Sequence, residues 1–234
     1  MLPARPDFQE LKARLHAAGA ASRTGREALF PSAIADIDAL LGGGFPCGSL
    51  VTLEGCGTAG ARSIAAVLLA QATRNGLAAV IDGGELYPPA LEAAGVRLDR
   101  LLIVPAATPV RAARAADMLL RSRTTRVVVM AVCGGTPGGA LRAAVWTRLA
   151  NLAQKAGALL VVLCSGTPLT TRSIAALSAA ATVCLSCRVN RPVHTGTRGI
   201  WGIFTGFELR AELRKHKFRK SLTPFVVNEL GMVQ

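Results

Sequence analysis

Short apolar runs alternate with stretches of helical periodicity through the middle of the chain. The apolar runs predict strands at residues 50–54, 78–82, 101–105, 126–132 and 158–164. The stretches between them predict helices at residues 62–75, 88–94, 110–121 and 140–156. Because the strands are apolar on both faces and helices connect them, we expect an α/β fold, with a mostly parallel sheet flanked by helices.

The pattern changes after about residue 181. Residues 181–189, 202–213 and 224–229 alternate polar and apolar positions without helices between them. This alternation is typical of antiparallel strands, which we expect to be added at the C-terminal edge of the sheet. Residues 190–199 are basic and predict a flexible connecting loop.

The N-terminal residues form a separate unit in this interpretation. Phe8, Leu11 and Leu15 fall on one face of a predicted amphipathic helix at residues 7–18, and a small, polar and basic linker follows. The predicted organisation is therefore an N-terminal helix and linker (1–28) and a core domain (29–234). The helix either packs on its own domain or docks on a partner chain, which makes its three apolar residues candidates for partner docking.

A glycine-rich turn between the first predicted strand and helix has the setting of a phosphate-binding loop, whose pattern is G-x-x-x-x-G-K-[ST]. Gly55, Gly57 and Gly60 provide the glycines, but Ala61 stands at the lysine position and Arg62 at the hydroxyl position. A shift of one residue would let Arg62 and Ser63 replace the pair, at the cost of an insertion in a tight loop. The turn retains backbone amides that can bind an anion without hydrolysing it.

Two further groups that ATP hydrolysis needs are also in question. No acidic residue follows the strand predicted at 126–132 to hold Mg²⁺, since Cys133, Gly134 and Gly135 come next. Asp82 and Glu85 follow another strand and are available to orient a water molecule, although capping of a loop is the alternative role. We therefore expect no enzymatic activity, no catalytic residues and no cofactor.

The composition indicates the expected location of the protein. The chain has 234 residues, of which 51% are hydrophobic, and it has neither a membrane-spanning apolar run nor a signal peptide. We expect a cytoplasmic protein without membrane contact. Cys184 and Cys187 form a C-x-x-C pair within a predicted strand, so their side chains should point to opposite faces and bind no shared metal.

The formal net charge is +13, and about half of this excess lies between residues 188 and 220. A cluster of this kind indicates an anionic partner such as DNA. The candidate DNA- or anion-binding residues are Arg188, Arg191, Arg214, Lys215, Lys217, Arg219 and Lys220. The alternative is a charged sheet edge that prevents pairing with another chain.

Four stretches resemble the core of the RecA/Rad51 recombinases: residues 33–60 (AIADIDALLGGGFPCGSLVTLEGCGTAG), 76–105, 181–191 and 206–230. The resemblance covers residues 30–230 and implies a RecA-like core, but the catalytic motifs depart from the family. Lys215 and Lys217 approximately match basic residues that reach a neighbouring subunit's nucleotide. The segments expected to carry DNA, near 134–139 and 166–171, are short.

A short, degenerate homologue of this kind resembles the ImuA proteins, accessory factors of SOS-induced mutagenic translesion synthesis. This resemblance implies a non-catalytic protein whose partners are RecA and the Y-family polymerase homologue ImuB. Two other functions remain open: a DNA-dependent ATPase with an atypical phosphate loop, and a plain DNA-binding module that binds DNA weakly.

Overall fold

The structure, a computed structural model, describes residues 28–55, 59–84, 86–131, 141–164, 171–195, 203–217 and 225–231. In these residues the strands are β1 (Leu29–Phe30), β2 (Phe45–Pro46), β3 (Leu50–Gly55), β4 (Leu77–Asp82), β5 (Leu101–Pro105), β6 (Thr125–Ala131), β7 (Leu159–Cys164), β8 (Val183–Thr195), β9 (Ile203–His216) and β10 (Phe225–Gly231). The helices are α1 (Ala35–Leu41), α2 (Ala59–Asn75), α3 (Pro88–Ala93), α4 (Pro109–Ser122), α5 (Ala143–Ala156) and α6 (Thr171–Ala180), with a short 3-10 helix at Leu98–Arg100.

Eight of these strands form one sheet in the order β10-β9-β8-β3-β7-β6-β4-β5. Strands β3 to β8 pair in parallel, and β9 and β10 add an antiparallel pair at one edge. Strands β1 and β2 form a separate two-stranded ribbon. The predicted α/β class is confirmed, with an antiparallel pair at the edge where the sequence placed it.

The central strands are buried on both faces because successive side chains point to opposite sides of the sheet. On one side, Val51 and Leu53 of β3 pack with α1, α2 and α3. On the other side, Leu50 of β3 packs with α4, α5 and α6. The sheet therefore separates two apolar cores, each covered by its own layer of helices.

Local sequence explains where several helices begin and end. The Thr108 hydroxyl accepts a hydrogen bond from the Arg111 backbone N–H (3.3 Å) and Pro109 opens the first turn, so α4 begins there. Gly157, at φ 67°, ends α5 in the left-handed region that favours glycine. No described helix has the length and apolar character that a membrane span requires.

Several expectations differ from the structure. Residues 190–195 are not a loop, because β8 continues to Thr195 and pairs with β9 through irregular registers. Strand β8 also pairs in parallel with β3, so the antiparallel pairing begins one strand later than expected. Helices α1 and α6 and the β1–β2 ribbon were not predicted. The proposed N-terminal unit, including Phe8, Leu11 and Leu15, lies outside the described residues except for residue 28.

Candidate functional site

The glycine-rich turn joins β3 to α2, which begins at Ala59, and residues 56–58 with Gly57 lie outside the described residues. Gly60 lies in the first turn of α2, where an added Cβ would come within 3.2 Å of Leu209 Cδ2 and 3.3 Å of Cys187 Cβ. The helix therefore begins in close contact with the β8–β9 hairpin. A side chain at Gly60 would require Leu209 and Cys187 to shift by a few tenths of an ångström.

The position at which the phosphate-loop pattern requires lysine is part of the apolar core. Ala61 is 1% exposed and lies in the same cluster as Ile64 and Leu53. Arg62 and Ser63, which follow it in α2, are half-buried. The structure thus places residues 60–63 at the start of one helix, with a buried methyl group where the motif has an ammonium group.

Glu54 is a site residue that the sequence analysis missed. It lies in β3 immediately before the turn, half-buried, opposite Cys164 of β7 and Ser186 of β8. Burial raises the pKa of Glu54, and the nearby Arg214 guanidinium partly offsets this effect. A carboxylate in this place adds negative charge next to a loop that would have to bind phosphate. An acidic residue at the end of an otherwise buried strand was the available signal.

The cysteine side chains near Glu54 are buried thiols. Burial, together with the Glu54 carboxylate, raises the pKa of Cys164 to about 12 and that of Cys187 to about 12. Cys184 belongs to the core under α4–α6 and Cys187 to the core under α1–α3, which confirms that the C-x-x-C pair points to opposite faces. The described residues contain no group of three or more His, Cys, Asp or Glu residues arranged to hold a metal ion.

The cations of β9 are held by neighbouring groups. Arg210 Nε lies 3.3 Å from one Glu212 carboxylate oxygen, and Arg214 Nη2 lies 3.1 Å from the other. These three residues share one face of β9, while Leu209 and Leu213 are buried on the opposite face. The central carboxylate therefore offsets part of the charge expected to attract an anion.

Lys215 is bound to the end of a helix. Its Nζ donates hydrogen bonds to the backbone carbonyl oxygens of Ser178 (2.6 Å) and Ala179 (3.1 Å), in the last turn of α6. Carbonyls at a helix C-terminus lack partners within the helix and carry negative partial charge. The ammonium group satisfies two of them, so Lys215 has a structural role in addition to the predicted anion-binding role.

Glu208 joins β8 and β9 inside the edge of the sheet. Its carboxylate is buried and accepts a hydrogen bond from Asn190 Nδ2 (2.8 Å) and another from Arg191 Nε. These two hydrogen bonds hold the pKa of Glu208 below its usual range. The cross-strand pairing explains why Asn190 and Arg191 belong to a strand rather than to a loop.

The remaining predicted site residues are dispersed. Arg188 and Lys217 are exposed on β8 and just after β9, and Asp82 is half-buried at the end of β4. Arg219, Lys220 and Glu85 lie outside the described residues, as do residues 132–140 and 165–170, which include most of the segments expected to carry DNA. Among the described C-terminal cations, Arg188 of β8 lies directly opposite Arg210 of β9, so these two residues share one face of the hairpin with Arg214.

Comparison with known proteins gives three kinds of similarity. Residues 38–169, more than half of the chain, match the family described as the MT3502 N-terminal domain. The RecA protein of Nostoc punctiforme is 36% identical over 96 residues, which is 40% of this chain and 27% of that protein. The RecA protein of Corynebacterium jeikeium is 38% identical over 97 residues, or 40% and 26% of the two chains. The match thus spans about a quarter of the length of these relatives.

Solved structures resemble the whole fold. A RadB recombinase superposes with a TM-score of 0.65 at 17% identity, over 85% of this chain and 94% of that structure. A KaiC-like protein from Pyrococcus horikoshii superposes with a TM-score of 0.63 at 17% identity, over 88% and 96%. The fold is therefore RecA-like, and the sequence similarity to RecA supports a place in the RecA/Rad51 superfamily.

Proposed function

This chain belongs to the MT3502 N-terminal domain family, and we propose that it is a non-catalytic RecA-like accessory protein of SOS-induced mutagenic translesion synthesis. In this proposal it acts by binding RecA, the Y-family polymerase homologue ImuB, or both. The role and both partners come from the resemblance to ImuA proteins. The proposed absence of catalysis rests on the buried alanine at the lysine position of the phosphate-loop pattern.

A single observation carries the non-catalytic part: the residue at the lysine position, Ala61, is buried in the apolar core. Catalysis of phosphoryl transfer depends on cations positioned around the transferring phosphate, since charge stabilisation provides most of the rate. Here that position has no charge, and Glu54 adds a carboxylate in the strand that leads into the loop. We infer that ATP is neither held nor hydrolysed at this site.

In this proposal, the RecA-like fold is what lets the chain contact a recombinase. Such a chain can add to RecA by occupying the place of one protomer, and it can do so without a nucleotide cycle. The proposal therefore places function in protein contacts rather than in turnover.

The test is direct binding of the full chain to each proposed partner. The immobilised chain is exposed to RecA assembled on single-stranded DNA, to free RecA and to ImuB, with and without ATP. The proposal expects saturable binding to at least one partner. The affinity should stay the same when ATP is omitted from the buffer of this chain. An absence of binding to all three would overturn the proposed role.

An ATPase with an atypical loop is the second candidate, favoured by Arg62 and Ser63 in the first turns of α2. That function requires phosphate release that single-stranded DNA stimulates and that the substitution Arg62→Ala abolishes. Release that survives Arg62→Ala would point to a contaminating enzyme.

A further inference from the structure

The two helical layers of the molecule differ sharply in charge. The described layer formed by α1, α2, α3 and the 3-10 helix has four cations (Arg62, Arg74, Arg97, Arg100) and four carboxylates (Asp36, Asp38, Glu92, Asp99). Helices α4 and α5 with their flanking residues have seven cations (Arg111, Arg114, Arg121, Arg123, Arg142, Arg148, Lys155) and one carboxylate, Asp117. All seven of these cations are exposed. Among the described helices, the excess positive charge therefore lies on the α4–α5 side of the sheet.

The sequence explains why few negative charges lie on this side. Between Asp117 and Glu208 the chain contains no aspartate or glutamate, whereas it contains ten lysines and arginines. Helix α5 lies wholly within this interval, and α4 contributes only Asp117. The seven cations are spread along 45 residues of sequence, so they form a cluster only when α4 and α5 pack side by side.

Asp117, the carboxylate of this layer, holds two of the arginines in place. Asp117 accepts hydrogen bonds from Arg121 Nε (2.7 Å) and from Arg148 Nε (2.8 Å), which joins α4 to α5. Both arginines remain more than half exposed, with side-chain exposures of 58% and 60%. Fixing a guanidinium before a ligand arrives lowers the conformational entropy that binding costs.

The dimensions suit an extended polyanion. A helix of 14 residues is about 21 Å long, and packed helices lie about 8–10 Å apart. Duplex DNA has one phosphate charge per about 1.7 Å of its axis with both strands counted, so a duplex segment as long as this surface has about a dozen phosphates, of which the surface faces a part. The exposed residues of α4 and α5 include no aromatic side chain, and Trp146 is buried. Without aromatic rings the surface has no platform for stacking bases of a single strand.

We propose that the solvent-facing side of α4 and α5, the α4–α5 face, is a sequence-independent binding surface for the phosphate backbone of duplex DNA. This inference does not depend on the proposed accessory role or on the phosphate loop. It is also separate from the C-terminal cations, of which Lys215 is held by the α6 carbonyls.

The experiment compares three variants of the full chain that each remove three positive charges. The first is Arg111→Gln, Arg114→Gln and Arg142→Gln on the α4–α5 face. The second is Arg74→Gln, Arg97→Gln and Arg100→Gln on the opposite layer, and the third is Arg188→Gln, Arg210→Gln and Lys217→Gln near the hairpin. Binding of a fluorescent 25-base-pair DNA duplex is measured by anisotropy at several salt concentrations. Thermal unfolding confirms that each variant is folded.

We expect the first variant to bind at least tenfold more weakly at about 100 mM salt and the other two to change binding by less than about threefold. Each phosphate contact contributes about 0.9 to the slope of log K against log salt, so the first variant should lose about 2 to 3 in slope. Equal losses in all three variants would show dependence on net charge alone and overturn the proposal. A loss confined to the hairpin variant would return the site to the C-terminal strands.

Two further arms separate DNA from other anionic partners. Vesicles containing phosphatidylserine should not bind with the same dependence on Arg111, Arg114 and Arg142, and such binding would overturn the proposal in favour of a membrane surface. Met118, which is 72% exposed in the middle of the face, provides the second arm. Met118→Ser should leave duplex binding unchanged, whereas a loss comparable to the arginine variant would indicate a protein-like apolar anchor.

Discussion

Replacing Lys215 with methionine tests whether this residue stabilises the fold, because methionine keeps the aliphatic stem and removes the ammonium group. The substitution deletes the hydrogen bonds to the Ser178 and Ala179 carbonyls at the end of α6. Lys217, two residues later, is exposed and makes no ion pair within the described residues. Lys217→Met is therefore a matched control that removes the same charge from the same segment.

The magnitude follows from the geometry. A hydrogen bond to a charged group contributes about 1.5–3 kcal/mol, and a cation at a helix C-terminus contributes about 0.3–1 kcal/mol. Lys215 is half-buried, so solvent screening reduces these values, and we expect a net loss of about 1–2 kcal/mol. With a denaturant dependence of about 3 kcal/mol per molar urea, the unfolding midpoint should fall by about 0.5 M. Lys217→Met should change stability by less than about 0.5 kcal/mol.

Urea unfolding followed by circular dichroism measures both variants, and duplex binding by anisotropy accompanies it. A Lys215→Met variant as stable as the unmodified chain would refute the helix-capping role. Equal destabilisation by Lys217→Met would refute the assignment of the effect to the two carbonyl contacts. A large loss of DNA affinity in Lys215→Met alone would support the anion-binding role predicted from the sequence.

Three other predictions concern the candidate site. Glu54→Gln should raise the melting temperature at pH 7–8. Burial raises the pKa of Glu54 in the folded state. The unmodified chain therefore loses stability as the pH rises from below the unfolded-state pKa through the folded-state pKa. The difference should disappear below about pH 4, in a pH series of thermal melts of both proteins. Iodoacetamide at pH 8 should leave Cys164 and Cys187 unmodified in the folded chain and alkylate both in urea, as peptide mapping would show, since their pKa values are about 12. Ala61→Lys combined with Arg62→Thr should not create ATP hydrolysis in a phosphate-release assay, because no carboxylate follows β6 in the sequence before Glu208; clear turnover would contradict this reasoning.

The order of strands β3 to β7 and of the helices between them was predictable because the central strands are buried on both faces. Strand β5 has the predicted bounds, and β3 and β4 each extend the predicted strand by one residue. The irregular β8–β9 hairpin was not predictable, since its length depends on pairing between residues far apart in sequence. The sequence predicted a basic loop at Asn190 and Arg191, whereas the structure shows that both residues bind Glu208 on the neighbouring strand. Local pattern cannot show a partner 17 or 18 residues away.

The candidate site shows the same division. The sequence showed that alanine replaces lysine at position 61. Ala61 is buried because it lies on the face of α2 that packs against the core. The charge of the C-terminal strands was counted correctly, but counting could not show that Glu212 and the α6 carbonyls hold Arg214 and Lys215. Conversely, the cations of α4 and α5 are spread along 45 residues of sequence, so they do not form a cluster in the sequence. They form a cluster only through helix packing.

The central claim is that the phosphate loop no longer supports ATP chemistry, and one calorimetric titration tests it most directly. The full chain is titrated with ATP and Mg²⁺ in the presence of single-stranded DNA, and released phosphate is measured in the same samples. We predict neither binding heat nor phosphate release above the level of a buffer control. Saturable binding with DNA-stimulated phosphate release, abolished by Arg62→Ala, would contradict the account.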